Sequence, residues 1–180
     1  MKKLIVFLVL GILPAGISAQ VLDPTVYNNV RDFLSQIRHP EEVDMIGGVR
    51  AIAPVNTEGY LMAIADSTVL PAAPKLRAFA LLSYFPQSQA VRNFLDARMG
   101  DGSVNETYRQ MAMTSFVRGF YSADPVGVSN SLQRCTNDGS PFVREHAKGM
   151  LSRAKSGVKA PAGENPGKAH KPHKHKDGDS

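Results

Sequence analysis

A short pattern recurs through this sequence at nearly constant spacing: an apolar residue, an arginine, two further residues and an alanine. The copies are Leu76–Ala80, Tyr108–Ala112, Val143–Ala147 and, in degraded form, Val43–Gly47. Their second positions are separated by 33, 32 and 35 residues. A period in this range is typical of stacked helix pairs, because one pair cannot bury its apolar faces without a neighbour. A non-repetitive helical bundle with chance similarity is the alternative.

Proline, glycine and capping residues divide the chain into eight segments with helical periodicity. Apolar side chains recur at intervals of three or four in each segment, as in Val30, Leu34 and Ile37 of the first. In the second segment the expected apolar face includes Val43, although Gly47 and Gly48 weaken the helix by about 1 kcal/mol each. No segment alternates apolar and polar residues as a strand does. The sequence therefore predicts an all-α fold, an α-solenoid of about four helix pairs over residues 20–155.

In these residues the chain resembles the HEAT-repeat superfamily, in particular the short repeats of the phycobilisome-lyase type. The match is best over residues 138–151, where Asp138 precedes the motif arginine Arg144 by six residues. In the family, this spacing ties adjacent repeats through an aspartate–arginine pair. The first copy departs from the pattern, since Asp44 stands where the arginine belongs. The resemblance covers about residues 22–155 and implies a right-handed α-solenoid whose inner helices line a concave surface.

The motif arginines Arg77, Arg109 and Arg144, together with Asp138, are the candidate functional residues of this array. A guanidinium group can span the gap between repeats and hold a carboxylate in fork geometry, which is a structural role. The alternative is a ladder of guanidinium groups that binds an acidic partner on the concave face. The sequence leaves both interpretations open.

Residues 1–19 have the pattern of a secretory signal peptide. Two lysines precede an apolar run, residues 4–13, which is too short to span a bilayer as a stable helix. Small residues ending at Ala19 suit signal peptidase. We therefore expect a periplasmic or secreted bacterial protein, with an uncleaved N-terminal anchor as the alternative.

The net charge of +5 is concentrated at the two ends, because residues 20–155 hold 14 basic and 13 acidic side chains. Composition therefore gives no reason to expect nucleic-acid binding. Residues 156–180 are rich in lysine, histidine, proline and glycine, and this composition predicts a disordered tail. His170, His173 and His175 in the tail are candidate ligands for Zn²⁺, Cu²⁺ or Ni²⁺. A solvated basic tail that contacts anionic surfaces is the alternative.

The sequence has no catalytic signature that we recognise: no phosphate-binding glycine loop, no metalloprotease histidine pair and no Cys-x-x-Cys motif. Cys135 is expected to be a buried small residue near a helix end, and His39 and His146 to be surface or capping residues. We therefore predict a non-enzymatic scaffold without a cofactor that binds another protein on its concave face. A periplasmic metal-handling protein and a lyase-type repeat enzyme are the alternative functions.

Overall fold

The structure is a computed structural model, and it describes residues 21–36 and 41–156. These residues form eight α-helices and no strand, so the predicted all-α fold is confirmed for this part of the chain. The predicted signal segment, the tail with His170, His173 and His175, and His39 lie outside the described residues. The helices are α1 (Pro24–Ser35), α2 (Glu42–Ile52), α3 (Thr57–Ala65), α4 (Ala72–Leu82), α5 (Gln89–Gly100), α6 (Glu106–Phe120), α7 (Pro125–Cys135) and α8 (Pro141–Lys155).

Capping chemistry in the sequence determines where most helices begin. The side chain of Asp23 accepts hydrogen bonds from two backbone N–H groups at the start of α1, and Asp124 does the same for Gly127 in α7. Each cap is followed by a proline, whose fixed φ suits the first helical position and which has no N–H to leave unpaired. Such caps stabilise a helix by about 1 kcal/mol each.

From α3 onward the helices form two layers. The odd layer consists of α3, α5 and α7, the even layer of α4, α6 and α8, and each helix packs on its layer neighbour and on its partner in the other layer. Three contacts between α6 and α8 join residues that are 32, 32 and 33 positions apart along the chain. A constant separation requires the two helices to run parallel and in register. This separation matches the period of the sequence motif.

The helix pair α1–α2 does not follow this arrangement. Glu42, the first residue of α2, binds Arg118 near the end of α6, and Arg50, near the end of α2, lies 5.3 Å from the ring centroid of Phe85 just after α4. Both ends of α2 thus contact the carboxyl ends of even-layer helices, so α2 lies across those ends, while α1 packs against α3 and α4. The expectation that Val43 lies on the apolar face of this helix is wrong, because its side chain is 64% exposed.

Close packing of α1 against α2 explains why glycine occurs inside α2. The ring of Phe33 occupies the place where a side chain at position 48 would begin, so Gly48 allows the two helices to approach. Met45, Ile46 and Val49 form the buried face of α2. The helix therefore persists despite the lower helix propensity of glycine, because tertiary burial outweighs it.

The core lies between the two layers, and the stretch that becomes α4 is central to it. Phe79 of α4 is 1% exposed and stacks on Phe94 of α5 and Tyr108 of α6, with centroid distances of 5.9 and 6.2 Å. Lys75 lies over the ring of Tyr108 at 4.2 Å, and Arg98 lies over that of Phe94 at 5.4 Å. This column of rings joins three helices through the middle of the molecule.

Candidate functional site

The even layer has an outward surface, which we call the even face, that points away from the odd layer. Side chains on this surface recur at helical spacing and are half-buried or exposed, whereas the opposite side of each helix is buried. The residues of the even face are Leu76 and Ala80 of α4, Tyr84 just after α4, Thr107, Met111, Thr114 and Arg118 of α6, and Phe142, His146, Gly149 and Arg153 of α8.

Side-chain contacts between α6 and α8 make the even face continuous. Gln110 Nε2 donates to the carbonyl oxygen of Phe142 at 3.2 Å, and Thr114 Oγ1 lies 3.1 Å from His146 Nε2. Tyr121 Oη donates to the carbonyl oxygen of Ala154 at 3.0 Å. These bridges lie along the full length of the helix pair, so the two helices present a single fixed surface.

The even face combines an exposed aromatic side chain with positive charge. Phe142 is 67% exposed although its neighbour Val143 is fully buried. The three even-layer helices hold eight basic and two acidic side chains, whereas those of the odd layer hold three basic and two acidic. Three of the eight, Arg77, Arg109 and Arg144, bind groups within the fold and do not belong to the even face. A protruding ring on the same face as Arg118 and Arg153 suits binding of an acidic partner by an apolar anchor.

Arg118 is the most constrained cation of the even face. It donates two hydrogen bonds to the carboxylate of Glu42, of 3.1 and 2.5 Å, in fork geometry. The hydrogen bonds to Glu42 raise the pKa of Arg118 above its usual value. The pair fixes α2 to α6, so part of the charge of this arginine is already compensated within the protein.

His146 is neutral at physiological pH in this setting. Its burial against α6 lowers the pKa of the imidazole below its ordinary value, and the charge of Arg153 lowers it further. The Thr114 hydroxyl donates to the carbonyl oxygen of Gln110 at 3.0 Å, so its oxygen accepts the hydrogen bond from His146 Nε2–H. His146 therefore contributes packing and a hydrogen bond to this surface, and it contributes no positive charge.

Replacing His146 with glutamine is expected to reduce the loss of stability in mild acid. The unfolded chain binds the proton of this residue more tightly than the folded chain, because the folded pKa is the lower one. The contribution to stability is therefore present above about pH 6.5 and is lost as pH falls through the folded pKa. Unfolding free energies of the native protein and the variant, measured in urea between about pH 8 and pH 5, test this. Equal pH dependence of the two proteins would contradict it.

The structure places the four candidate residues of the repeat motif in three different settings. Arg77 donates to the carbonyl oxygens of Leu34 and Gln36, each at 2.5 Å, and so contacts the carboxyl end of α1. Arg144 donates to the carbonyl oxygens of Asp138 and Gly139 at 2.7 and 3.0 Å, within its own turn. Both arginines therefore bind backbone carbonyls rather than a carboxylate in these contacts.

Arg109 and Asp138 form a tie between successive helix pairs. Arg109 is only 3% exposed, donates to the carbonyl oxygen of Met99 at 3.3 Å and pairs with the carboxylate of Asp138. The aspartate thus pairs with the motif arginine of the preceding helix pair, while Arg144 binds its carbonyl oxygen. Arg109, Asp138 and Arg144 come together, and Arg77 lies apart from them.

Three further ties within the odd layer were missed in the sequence. Arg98 pairs with Asp66 at 2.6 Å, Arg92 with Asp124 at 2.5 Å, and Arg134 with Asp96 at 2.9 Å. The first two pairs are each separated by 32 residues along the chain, which equals one step of the motif. A search for opposite charges at that separation could have found them.

A shallow cleft of about 850 Å³ lies where the α5–α6 turn meets the α7–α8 turn. Each turn contains the tripeptide Asp-Gly-Ser, beginning at Asp101 and Asp138. Hydrogen bonds from the side chain and the backbone of Ser103 lower the pKa of Asp101. Arg109 lines the cleft, but its guanidinium group already pairs with the carboxylate of Asp138 and donates to the carbonyl oxygen of Met99. The backbone of the two turns and acidic side chains in the cleft are therefore exposed to solvent, whereas the arginine of the cleft stabilises the fold.

Cys135 is buried at the last position of α7, as predicted, with 4% of its surface exposed. Burial raises the pKa of the thiol, so little thiolate forms at neutral pH. Asp96 pairs with Arg134 on the surface of the odd layer, whereas Glu106 is exposed at the start of α6. Glu106 lines the cleft between the two turns, whereas Asp96 and Cys135 do not line it.

Described residues 21–36 and 41–156 contain no group of three or more histidine, cysteine or acidic side chains that could hold a metal ion. None of the helices in this part of the chain is long and apolar enough to cross a bilayer. Comparison of the chain with protein-family models, with curated proteins and with solved structures finds no match.

Proposed function

We propose that this protein is an exported, non-enzymatic scaffold with a right-handed α-solenoid of HEAT-like repeats, and that it binds an acidic protein on the even face. The constant separation of 32 or 33 residues between contacting positions of α6 and α8 supports the repeat architecture. The ties Asp66–Arg98 and Arg92–Asp124 repeat the same step in the odd layer. The pair α1–α2 then serves as an end cap and not as a full repeat.

The observation that carries the proposal is the exposed ring of Phe142 on the even face, which also carries Arg118 and Arg153. A large aromatic side chain left 67% exposed gains little hydrophobic stabilisation from the fold. Aromatic anchors surrounded by polar groups are the side chains that contribute most to protein interfaces. The excess of basic residues in the even layer favours an acidic partner by steering its approach.

Replacing Phe142 with alanine is expected to weaken partner binding roughly tenfold or more, while thermal stability stays unchanged. Val126 provides a matched control, because it also follows a proline at the start of a helix and is 68% exposed, but lies in the odd layer. The mature chain is immobilised, its partner is captured from the native compartment, and dissociation constants are measured for the native protein, Phe142→Ala and Val126→Ala.

A second variant blocks the even face by adding a side chain. An added Cβ at Gly149 meets no atom within 4 Å, so Gly149→Glu fits without a clash and strengthens the helix. We expect this variant to be at least as stable as the native protein and to lose the partner. Retention of binding by both Phe142→Ala and Gly149→Glu, or equal loss in Val126→Ala, would overturn the proposal.

A further inference from the structure

The outer face of α2 has no helix packed on it among the described residues. Val43, Asp44, Gly47 and Ala51 lie along it and are exposed, and space for a side chain is open at Gly47. Glu41 at the start of the helix is also exposed, and neither Glu41 nor Asp44 makes an ion pair with another described residue. This face therefore combines an exposed valine with two carboxylates that make no ion pair within the described part of the chain.

The carboxyl end of α8, which residues 157–180 follow in the chain, lies on the same side of the molecule as α2. Arg118 and Tyr121 are one turn apart at the end of α6, and they bind Glu42 of α2 and the carbonyl oxygen of Ala154 of α8. One helical turn of about 5.4 Å and two side chains of about 7 Å place Glu42 within roughly 20 Å of Ala154. The carboxyl ends of α4 and α6, which carry the negative poles of their dipoles, lie there as well.

We propose that residues 157–180 dock on the outer face of α2 within the same molecule. Residues 156–180 contain five lysines and three acidic residues, whereas the outer face of α2 presents the exposed carboxylates of Glu41 and Asp44. The charges of the two segments are therefore complementary. This inference does not rest on the proposed partner of the even face.

The length of the segment matches the distance that it must cover. Lys168 follows Ser156 by twelve residues, and an unstructured chain of that length has a mean span of about 19 Å. A tether whose mean span equals the distance between two sites gives the highest effective concentration, which is in the millimolar range for short linkers. Weak ion pairs between the lysines and the carboxylates then suffice to hold the segment in place.

Paramagnetic relaxation in the full mature chain tests the docking. A nitroxide is attached through Asp177→Cys, since the native Cys135 is buried, and the broadening of backbone amide signals is recorded. We expect the signals of residues 41–47 to be lost at an ionic strength of about 0.01 M and to return at about 1 M, where the Debye length is about 3 Å. The broadening should disappear when Glu41→Lys and Asp44→Lys are combined.

Glu106 supplies the matched control, because it is an exposed carboxylate in the first turn of α6, at the other end of that helix from Arg118. With the same nitroxide, the Glu106→Lys variant should show the same broadening of the α2 amide signals as the chain without this substitution. A mixture of ¹⁵N-labelled chain without nitroxide and unlabelled chain with nitroxide identifies docking on a second copy. The inference is overturned if the broadening appears in that mixture, is absent from α2 at low salt, or persists in the α2 double variant.

Discussion

Replacing Phe79 with alanine is expected to lower the free energy of unfolding by about 3–5 kcal/mol. The ring is 1% exposed and is stacked between Phe94 and Tyr108, so its loss opens a cavity lined by three helices. The surrounding rings cannot collapse into that space without giving up their contacts with Lys75 and Arg98. Urea unfolding followed by circular dichroism measures the change directly.

Two further substitutions show whether the effect comes from the cavity. Phe79→Leu retains most of the apolar volume, so we expect a loss of about 1–2 kcal/mol. Phe142→Ala removes a ring of the same size that is 67% exposed, and it should change stability by less than about 0.5 kcal/mol. Similar losses for Phe79→Ala and Phe142→Ala would mean that the column of rings contributes little to the fold.

Local periodicity predicts much of this fold, because a helix of 3.6 residues per turn shows its buried face in the sequence. The apolar residues that recur at helical spacing in α7, Val128, Leu132 and Cys135, are all buried. Helical spacing also places Val143 and Ala147 inside α8, and both are fully buried. Wherever a neighbouring helix covers the apolar stripe, the stripe alone is enough to predict burial.

The orientation of α2 could not be predicted in this way, because it depends on contacts far apart in the chain. Glu42 and Arg118 are separated by 76 residues, more than twice the motif period. The degraded copy of the motif, with Asp44 in place of arginine, gave a hint that the first pair differs. Periodicity identifies an apolar face but not the helix that covers it, and Val43 was therefore wrongly placed.

The candidate site was also only partly visible in the sequence. The motif identified Arg109, Arg144 and Asp138 as a set, and these residues do come together. It could not show that all three motif arginines bind backbone carbonyls, because a carbonyl acceptor leaves no mark on residue type. The even face is defined by which helices are neighbours, so Phe142 became a candidate only once α6 and α8 were seen side by side.

Replacing Arg109 with methionine is expected to lower the free energy of unfolding by about 3–5 kcal/mol. The substitution leaves the half-buried carboxylate of Asp138 without its cation and the carbonyl oxygen of Met99 without this donor. Arg144→Ala should cost less, about 1 kcal/mol, because its guanidinium is more exposed and water can replace it at the turn carbonyls. Urea unfolding of the three proteins at one pH measures both differences.

A double-mutant cycle then separates the ion pair from the packing of the arginine stem. If the carboxylate left behind causes most of the loss, Asp138→Ala in the Arg109→Met background restores about 1–3 kcal/mol, since no buried charge remains. If the two single losses simply add, the pair contributes no coupling energy and the arginine acts through its apolar stem. The pair is largely shielded from solvent, so we also expect its coupling energy to change little between low and high salt, unlike that of the exposed pair Arg134–Asp96. Equal salt dependence of the two pairs would contradict a buried tie between the helix pairs.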